Sequence, residues 1–254
     1  MKKLIFAFVA LASVICVSCS KNSSVLKMGT NAAFPPFEYV EGSEVVGFDI
    51  TVSNLIARDY GKELKVIDMS FDGLIAALQA GSIDFIASGM TATEERRKNV
   101  DFSQAYYSSK QVIIVRSDST GISSVKDLAG KSIGVQAGTT GEIYASKDVE
   151  NSKVKSFKTG IDASLALKNS AIDSIILDEL PAKEIVRRNP DLKIIDDDFF
   201  TDEYAIAVKK GNTELLDSIN KTIQTIKENG NYQKLLDAFM PVDGEIRVLS
   251  ADQL

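Results

Sequence analysis

Twice along this chain, short β-branched runs alternate with amphipathic segments, and nothing else in the sequence narrows the choice of fold as far. The first series begins with a strand at residues 26–29. A helix at 49–60 carries Val52, Leu55 and Ile56 at helical spacing and stops at Gly61. A strand at 64–67, a helix at 71–80 that turns Leu74, Ile75 and Leu78 inward, and an apolar strand at 83–87 complete it. The second series has strands at 131–135, 154–157 and 172–177, with helices at 140–147 and 163–169 between them. Residues 78–84 and 167–173 hold equivalent places, each a helix end running into a buried strand. This order predicts an α/β fold with mostly parallel strands, built as two similar lobes. Residues 111–115 and 204–208 are both strand-like. Paired, they would carry the chain from the first lobe to the second and back, making a hinge and leaving a cleft near the carboxyl ends of the strands. A long helix at 212–229, with Leu215, Leu216, Ile219, Ile223 and Ile226 inward, and a shorter one at 232–239 close the pattern.

Ahead of the first strand, Met1-Lys2-Lys3 precedes an apolar run from Leu4 to Val17 broken only by Ser13, which reads as a secretory signal over residues 1–18. The run is too short for a comfortable transmembrane span. Both cysteines, Cys16 and Cys19, fall in this region. Cleavage before Cys19 would put the small residues Ser18 and Cys16 where a peptidase pocket reads, whereas cleavage before Cys16 would put bulky Ile15 there. The segment resembles a bacterial lipobox, with lipid on Cys19 and a polar tether over 19–25. The alternative is an ordinary cleaved signal that happens to contain cysteines. Either way the body of the protein has no disulfide, and its stability rests on a hydrophobic core.

Loss of Lys2 and Lys3 with the signal moves the formal charge from −6 to −8. That balance argues against nucleic acid and anionic membrane surfaces as partners. The chain has no histidine. Serine or cysteine nucleophiles activated by histidine are thereby excluded, as are histidine-ligated metals. No glycine-rich dinucleotide or phosphate-loop pattern occurs, so neither cofactor nor metal is expected.

The stretch that carries chemistry follows the strand at 83–87. Residues 88–96 place Ser88, Gly89, Met90 and Thr91 at the carboxyl end of a parallel strand, where ligands bind. Thr93 followed by Glu94 and Glu95 reads as a helix start that sets Arg96 one turn in, within reach of the same crevice. An arginine fork binds a carboxylate through two parallel bonds. The alternative for Arg96 is a surface pair with Glu94 or Asp101.

Several motifs together resemble the polar amino-acid-binding proteins of ABC importers, extracellular solute-binding proteins of family 3. They are Asn31-Ala32-Ala33-Phe34-Pro35-Pro36-Phe37-Glu38, Gly47-Phe48-Asp49-Ile50, Phe71-Asp72-Gly73-Leu74, residues 88–96 and Asp101-Phe102-Ser103. Further on come Gln136-Ala137-Gly138-Thr139-Thr140-Gly141 and Glu228-Asn229-Gly230. The resemblance runs from about Leu26 to Phe239. It implies a two-lobed periplasmic-binding-protein fold of type II with two hinge-crossing strands. The first lobe would take residues 26–112 and 207–254, and the second 113–206. The implied role is that of an exported, lipid-anchored periplasmic protein. It would be a monomer that hands one free amino acid to an inner-membrane ABC permease and catalyses nothing.

The resemblance also implies site roles. Arg96 would grip the ligand's α-carboxylate, helped by Thr91 and by N–H groups at Thr139 and Thr140. Asp178 would take the α-ammonium group, with a carbonyl at Ser88 or Gly89; Met90 lies in the same loop. Phe34 and Phe71 would sandwich the side chain, although either alone reads as core. Asn31, Glu38 and Gln136 would read its tip, with Glu38 either supplying negative charge or standing as a solvated loop acid. A zwitterion leaving water needs both charges paired, and an arginine and an aspartate from different lobes meet that need only when the cleft is shut. Asp178 also reads as a helix N-cap. The ligand expected is arginine or lysine, with glutamine or another neutral polar amino acid next. A dehydratase acting on cyclohexadienyl amino acids and a sensory ligand-binding module are the rival readings.

Overall fold

The computed structural model describes residues 24–195, 197, 199–241 and 245–254. The expected signal at 1–18, Cys19 and nearly all of the tether lie outside these residues. The first series of elements runs through β1 (Val25–Thr30), the short strands β2 (Ala33–Phe34), β3 (Glu38–Glu41) and β4 (Glu44–Val46), α1 (Phe48–Asp59) and β5 (Glu63–Asp68). It continues through a 3-10 turn at Phe71–Gly73 into α2 (Leu74–Gln79), β6 (Phe85–Ile86), α3 (Glu94–Arg97) and β7 (Val100–Phe102). β8 (Tyr107–Arg116) then leads into the second, which comprises β9 (Ser132–Gln136), α4 (Thr140–Lys147), β10 (Lys153–Phe157), α5 (Gly160–Lys168), β11 (Ser174–Asp178), α6 (Glu179–Arg188) and β12 (Leu192–Ile195). Then come β13 (Thr201–Tyr204), β14 (Ala207–Lys209), α7 (Thr213–Glu228) and α8 (Asn231–Phe239).

The strands divide between two principal sheets, one in each lobe. The first has the order β5-β1-β6-β14-β7 and the second β10-β9-β11-β8-β12, with β13 pairing β8. In each, the first strand of the series lies between the two that follow it, with parallel pairing on both sides. The chain therefore winds first one way and then the other from β1, and again from β9. This arrangement opens a crevice at the carboxyl ends of the central strands. An antiparallel strand brought from outside the series flanks each group, β14 against β6 and β8 against β11.

The equivalence holds residue by residue. Gly29 of β1 faces Ile86, and Gly134 of β9 faces Ile175. A Cβ at Gly29 would fall 2.3 Å from Ile83 Cδ1, and one at Gly134 would fall 2.4 Å from Ile172 Cδ1. Both glycines are bare because the isoleucine three residues before the facing position packs over the same spot. The equivalence of Ile83 and Ile172 drawn from the sequence thus extends to the strands they touch. It also aligns Asn31 with Gln136 and Gly89 with Asp178.

The crossing strands pair, but not where the sequence suggested. The ribbon consists of Tyr107 to Lys110 against β13, while residues 111–116 of β8 pair β11 and β12 inside the second sheet. The expected strand at 204–208 is broken at Ala205 and Ile206. Ala205 N–H donates to the Met90 carbonyl, and Ile206 N–H donates to Ser103 Oγ. These two residues leave one sheet before the chain joins the other. The expected strand at 83–87 shortens to β6, although Asp84 just ahead of it still bonds β1. Asp84 N–H donates to the Lys27 carbonyl, and Asp84 Oδ2 accepts from Lys27 N–H.

A candidate ligand site between the lobes

The carboxyl ends of the two strand groups face each other across a cavity that encloses about 310 Å³ of non-atom space, its mouth included. Asn31, Phe34, Glu38, Phe71, Ser88, Gly89, Thr91, Arg96, Gln136, Thr139, Thr140 and Asp178 line it. All were expected in the site. Met90, also expected, does not line the cavity. Its side chain is 1% exposed, in the core cluster that holds Leu74, Ile86 and Phe102.

Arg96 is held from both sides of the cleft. Nη1 donates to the Thr91 carbonyl at 2.7 Å, and Nη2 donates to the Gly138 carbonyl of the second lobe at 2.8 Å. Its guanidinium carbon lies 5.3 Å from the centre of the Phe71 ring. The surface alternative fails, since Asp101 bonds Lys210 and Gly211 N–H instead. Thr93 caps α3 through its hydroxyl, which fixes the turn that aims Arg96 inward. Burial lowers the guanidinium to about 10, opposed by the nearby charges of Asp202 and Asp178. Two donors are used on carbonyls, leaving the remaining N–H groups available to an anion.

Asp178 occupies the N-cap position of α6 but makes no side-chain cap bond. It accepts instead from the Tyr204 hydroxyl on β13. Burial, followed by the charge of Asp202, raises its carboxyl to about 6. Asp202 had no part in the expectations. It is 3% exposed and accepts from Gln111 Nε2 at 2.7 Å and from Thr140 Oγ1 at 2.8 Å. Thr139 caps α4, accepting from Glu142 N–H while donating to the Gln136 carbonyl. The start of α4 is therefore braced by Thr139 on one side and by Asp202 on the other.

At the other end of the cavity, Gln136 Nε2 donates to Asn31 Oδ1 at 2.9 Å, and Asn31 Nδ2 donates to the Met69 carbonyl. Ser88 Oγ accepts from Asn31 N–H and donates to Glu38 Oε1. Glu38 is fully buried, so the solvated-acid reading is wrong. Burial, then the charge of Asp49, lifts its carboxyl well above the usual carboxylate range. Asp49, one residue into α1, accepts from Gly89 N–H at 3.0 Å and from the Tyr106 hydroxyl at 2.7 Å. Gly89 has φ 50°, and a Cβ there would fall 2.9 Å from the Phe34 ring. A side chain at that position would be strained and would also push on an aromatic wall.

Asp49 and Asp202 were missed as site residues for different reasons. Asp49 stood in a recognised motif without a role, and an acid one position into a helix reads as dipole complementation. Asp202 sits in an acidic stretch, residues 196–203, that reads as a solvated face. Among the described residues, Glu38, Asp49, Asp178, Asp202 and Arg96 are the buried acidic and basic side chains, and every one lines the cavity or bonds a residue that does.

Two α/β lobes joined by crossing strands, with the buried charges gathered where the lobes meet, define a protein that encloses a small charged solute. The chain belongs to the bacterial extracellular solute-binding proteins, family 3, whose family model matches residues 26–242. It is similar to the arginine-binding extracellular protein ArtP of Bacillus subtilis (strain 168), at 38% identity over 91% of this chain and 94% of that one. It is 36% identical to a probable histidine-binding protein of Campylobacter jejuni, over 94% and 99% of the two chains. An ancestral arginine-binding protein bound to arginine superposes with a TM-score of 0.82 at 40% identity, covering 85% of this chain and 98% of that one. These relatives are named as binding proteins, and the fold is the two-lobed type II arrangement that the sequence predicts.

Proposed function

We propose that this chain captures a basic amino acid, L-arginine in the first instance, and delivers it to an ABC permease. The observation that carries the reading is the charge of the site: among the described residues, four buried acids surround a single buried cation, an acid excess that remains even with one proton held by Glu38 and Asp49. The α-carboxylate and α-ammonium of an amino acid cancel each other, so a neutral side chain would leave the acid excess uncompensated in a dry cavity. A cationic side chain offsets it. The ligand's carboxylate would meet Arg96 and the N–H groups at the start of α4, and its ammonium would meet Asp178. Phe34 and Phe71 suit a flat guanidinium, a contact that contributes roughly 0.5 to 2 kcal/mol. Asn31 and Gln136 would contact the side chain, and their mutual bond is the feature that favours a neutral polar ligand such as glutamine as the second reading.

The lobes would be residues 26–112 with 207–254, and 113–206; the pairing of Tyr107 to Lys110 with β13 moves the hinge itself a few residues ahead of the first boundary. We place the lipid on Cys19 and the protein in the periplasm as a monomer, with binding and no catalysis as its role. The test is calorimetric titration with arginine, lysine, citrulline and glutamine. Arginine should bind at least tenfold tighter than citrulline, its neutral isostere. Equal affinities would overturn the basic-ligand reading.

A further inference from the structure

Glu38 and Asp49 are brought together by bonding adjacent residues, Ser88 and Gly89. Glu38 Oε1 accepts from Ser88 Oγ at 2.8 Å, and Asp49 Oδ2 accepts from Gly89 N–H and the Tyr106 hydroxyl. The oxygens left over, Glu38 Oε2 and Asp49 Oδ1, are both buried and meet no donor when both groups are ionised. Two carboxylates side by side in a dry site cannot both stay charged. A single proton between them would satisfy both oxygens.

We infer that Glu38 and Asp49 hold one proton between them and that a ligand with a cationic side chain expels it on binding. Asp49, which does not line the cavity, thereby sets the charge that Glu38 presents to the ligand; it is a positioning residue that determines specificity. The inference rests on the basic-ligand reading above.

The surroundings support a labile proton. The pair faces the hydroxyls of Ser88 and Tyr106, the N–H of Gly89 and, from the second lobe, the carboxyl of Asp178. Neither carboxyl has a lysine or arginine bonded to it among the described residues. Burial and then the Asp49 charge raise Glu38 well above the ordinary range, while Asp49 is raised to about 6. A guanidinium brought against Glu38 reverses the balance by favouring the ionised form. The Glu38 O–H bond breaks, the proton passes to the buffer, and the carboxylate accepts from the ligand. Arginine affinity therefore rises with pH, by up to about tenfold per unit, until the free protein has itself lost the proton. A neutral ligand shows no such rise from this pair.

The experiment is calorimetric titration of the full protein with arginine at pH 7 in buffers of different ionisation heat, which counts protons released. Release of up to about one proton per arginine is expected. Asp49→Asn should reduce it to near zero with arginine still bound, since the amide keeps an oxygen for Gly89 and Tyr106 and offers an N–H to an ionised Glu38. Citrulline should release almost none, because Asp178, near 6, is already mostly ionised in the free protein at that pH. Glu38→Gln provides a second variant should Asp49→Asn not fold, and it too should release no proton. Arginine binding without release, or release persisting in Glu38→Gln, overturns the shared proton and leaves the basic-ligand reading intact. Failure of arginine to bind overturns both.

Discussion

Asp178 begins α6 without capping it, because its side chain turns to Tyr204. A residue expected to serve both a helix and a ligand serves the site alone. Its carboxyl is raised from 3.8 to about 6, so the folded, ligand-free chain holds a proton that the unfolded chain gives up between those values. Stability from this group is present at low pH and is lost as pH rises through about 6. Asp178→Asn should therefore stabilise the ligand-free protein at pH 7 by on the order of 2 to 3 kcal/mol, while abolishing amino-acid binding. Thermal melts at pH 7 and pH 4 check this, the gain nearly vanishing at the lower pH; an unchanged Tm at pH 7 counts against it. Arg96 tests the opposite charge. Lysine cannot hold the Thr91 and Gly138 carbonyls together and still present a fork. Arg96→Lys should lower affinity by about 1.5 to 3 kcal/mol for every amino acid alike. A loss confined to arginine would show that Arg96 reads the side chain instead.

Among the elements, the regular helices and strands were legible because each keeps one periodicity over its whole length, as in α7 with Leu215, Ile219, Ile223 and Ile226 buried. What escaped was register and handover. Nothing local to Ala205 and Ile206 marks them as the break between β13 and β14, since their partners, Met90 and Ser103, lie over a hundred residues away. The same holds for the site. Arg96 could be picked out because it follows a strand end and opens a capped helix, and Asp178 because it stands in a family position, whereas Asp202 acquires its role only from Gln111 and Thr140. The small sheet of β2, β3 and β4, which carries Phe34 and Glu38, was not read as strands. Tight strand packing makes one further prediction. Gly29→Ala would drive a methyl to 2.3 Å from Ile83 Cδ1 and should cost about 1 to 3 kcal/mol by overpacking. Ile83→Val, which removes that methyl, should recover part of the loss in a double-mutant cycle measured by denaturant unfolding. Strict additivity would mean the two do not compete for the space.

At the scale of the molecule, the contacts that cross the cleft include Gln136 with Asn31, Arg96 with the Gly138 carbonyl, and Gly138 against Asp72. A Cβ at Gly138 would fall 3.0 Å from Asp72 Cα and Cβ, at a φ of 78°. Gly138→Val should hold the lobes apart, weakening ligand binding and abolishing the contraction that ligand should cause in small-angle scattering of the parent protein. Contraction of the same size in both would place closure elsewhere. The winding of the chain has a different kind of consequence, one of timing. The second lobe's strands follow one another without interruption from β8 to β13. The first sheet, by contrast, waits for β14 to slot between β6 and β7. A chain emerging from its amino end can finish the later lobe while the earlier one still has a gap in its middle, with two-residue β6 an open edge. Closing that gap joins strands about a hundred residues apart, a slow event by loop entropy. In refolding, the signal from the second lobe should therefore appear first, and the arrival of β14 should complete the molecule.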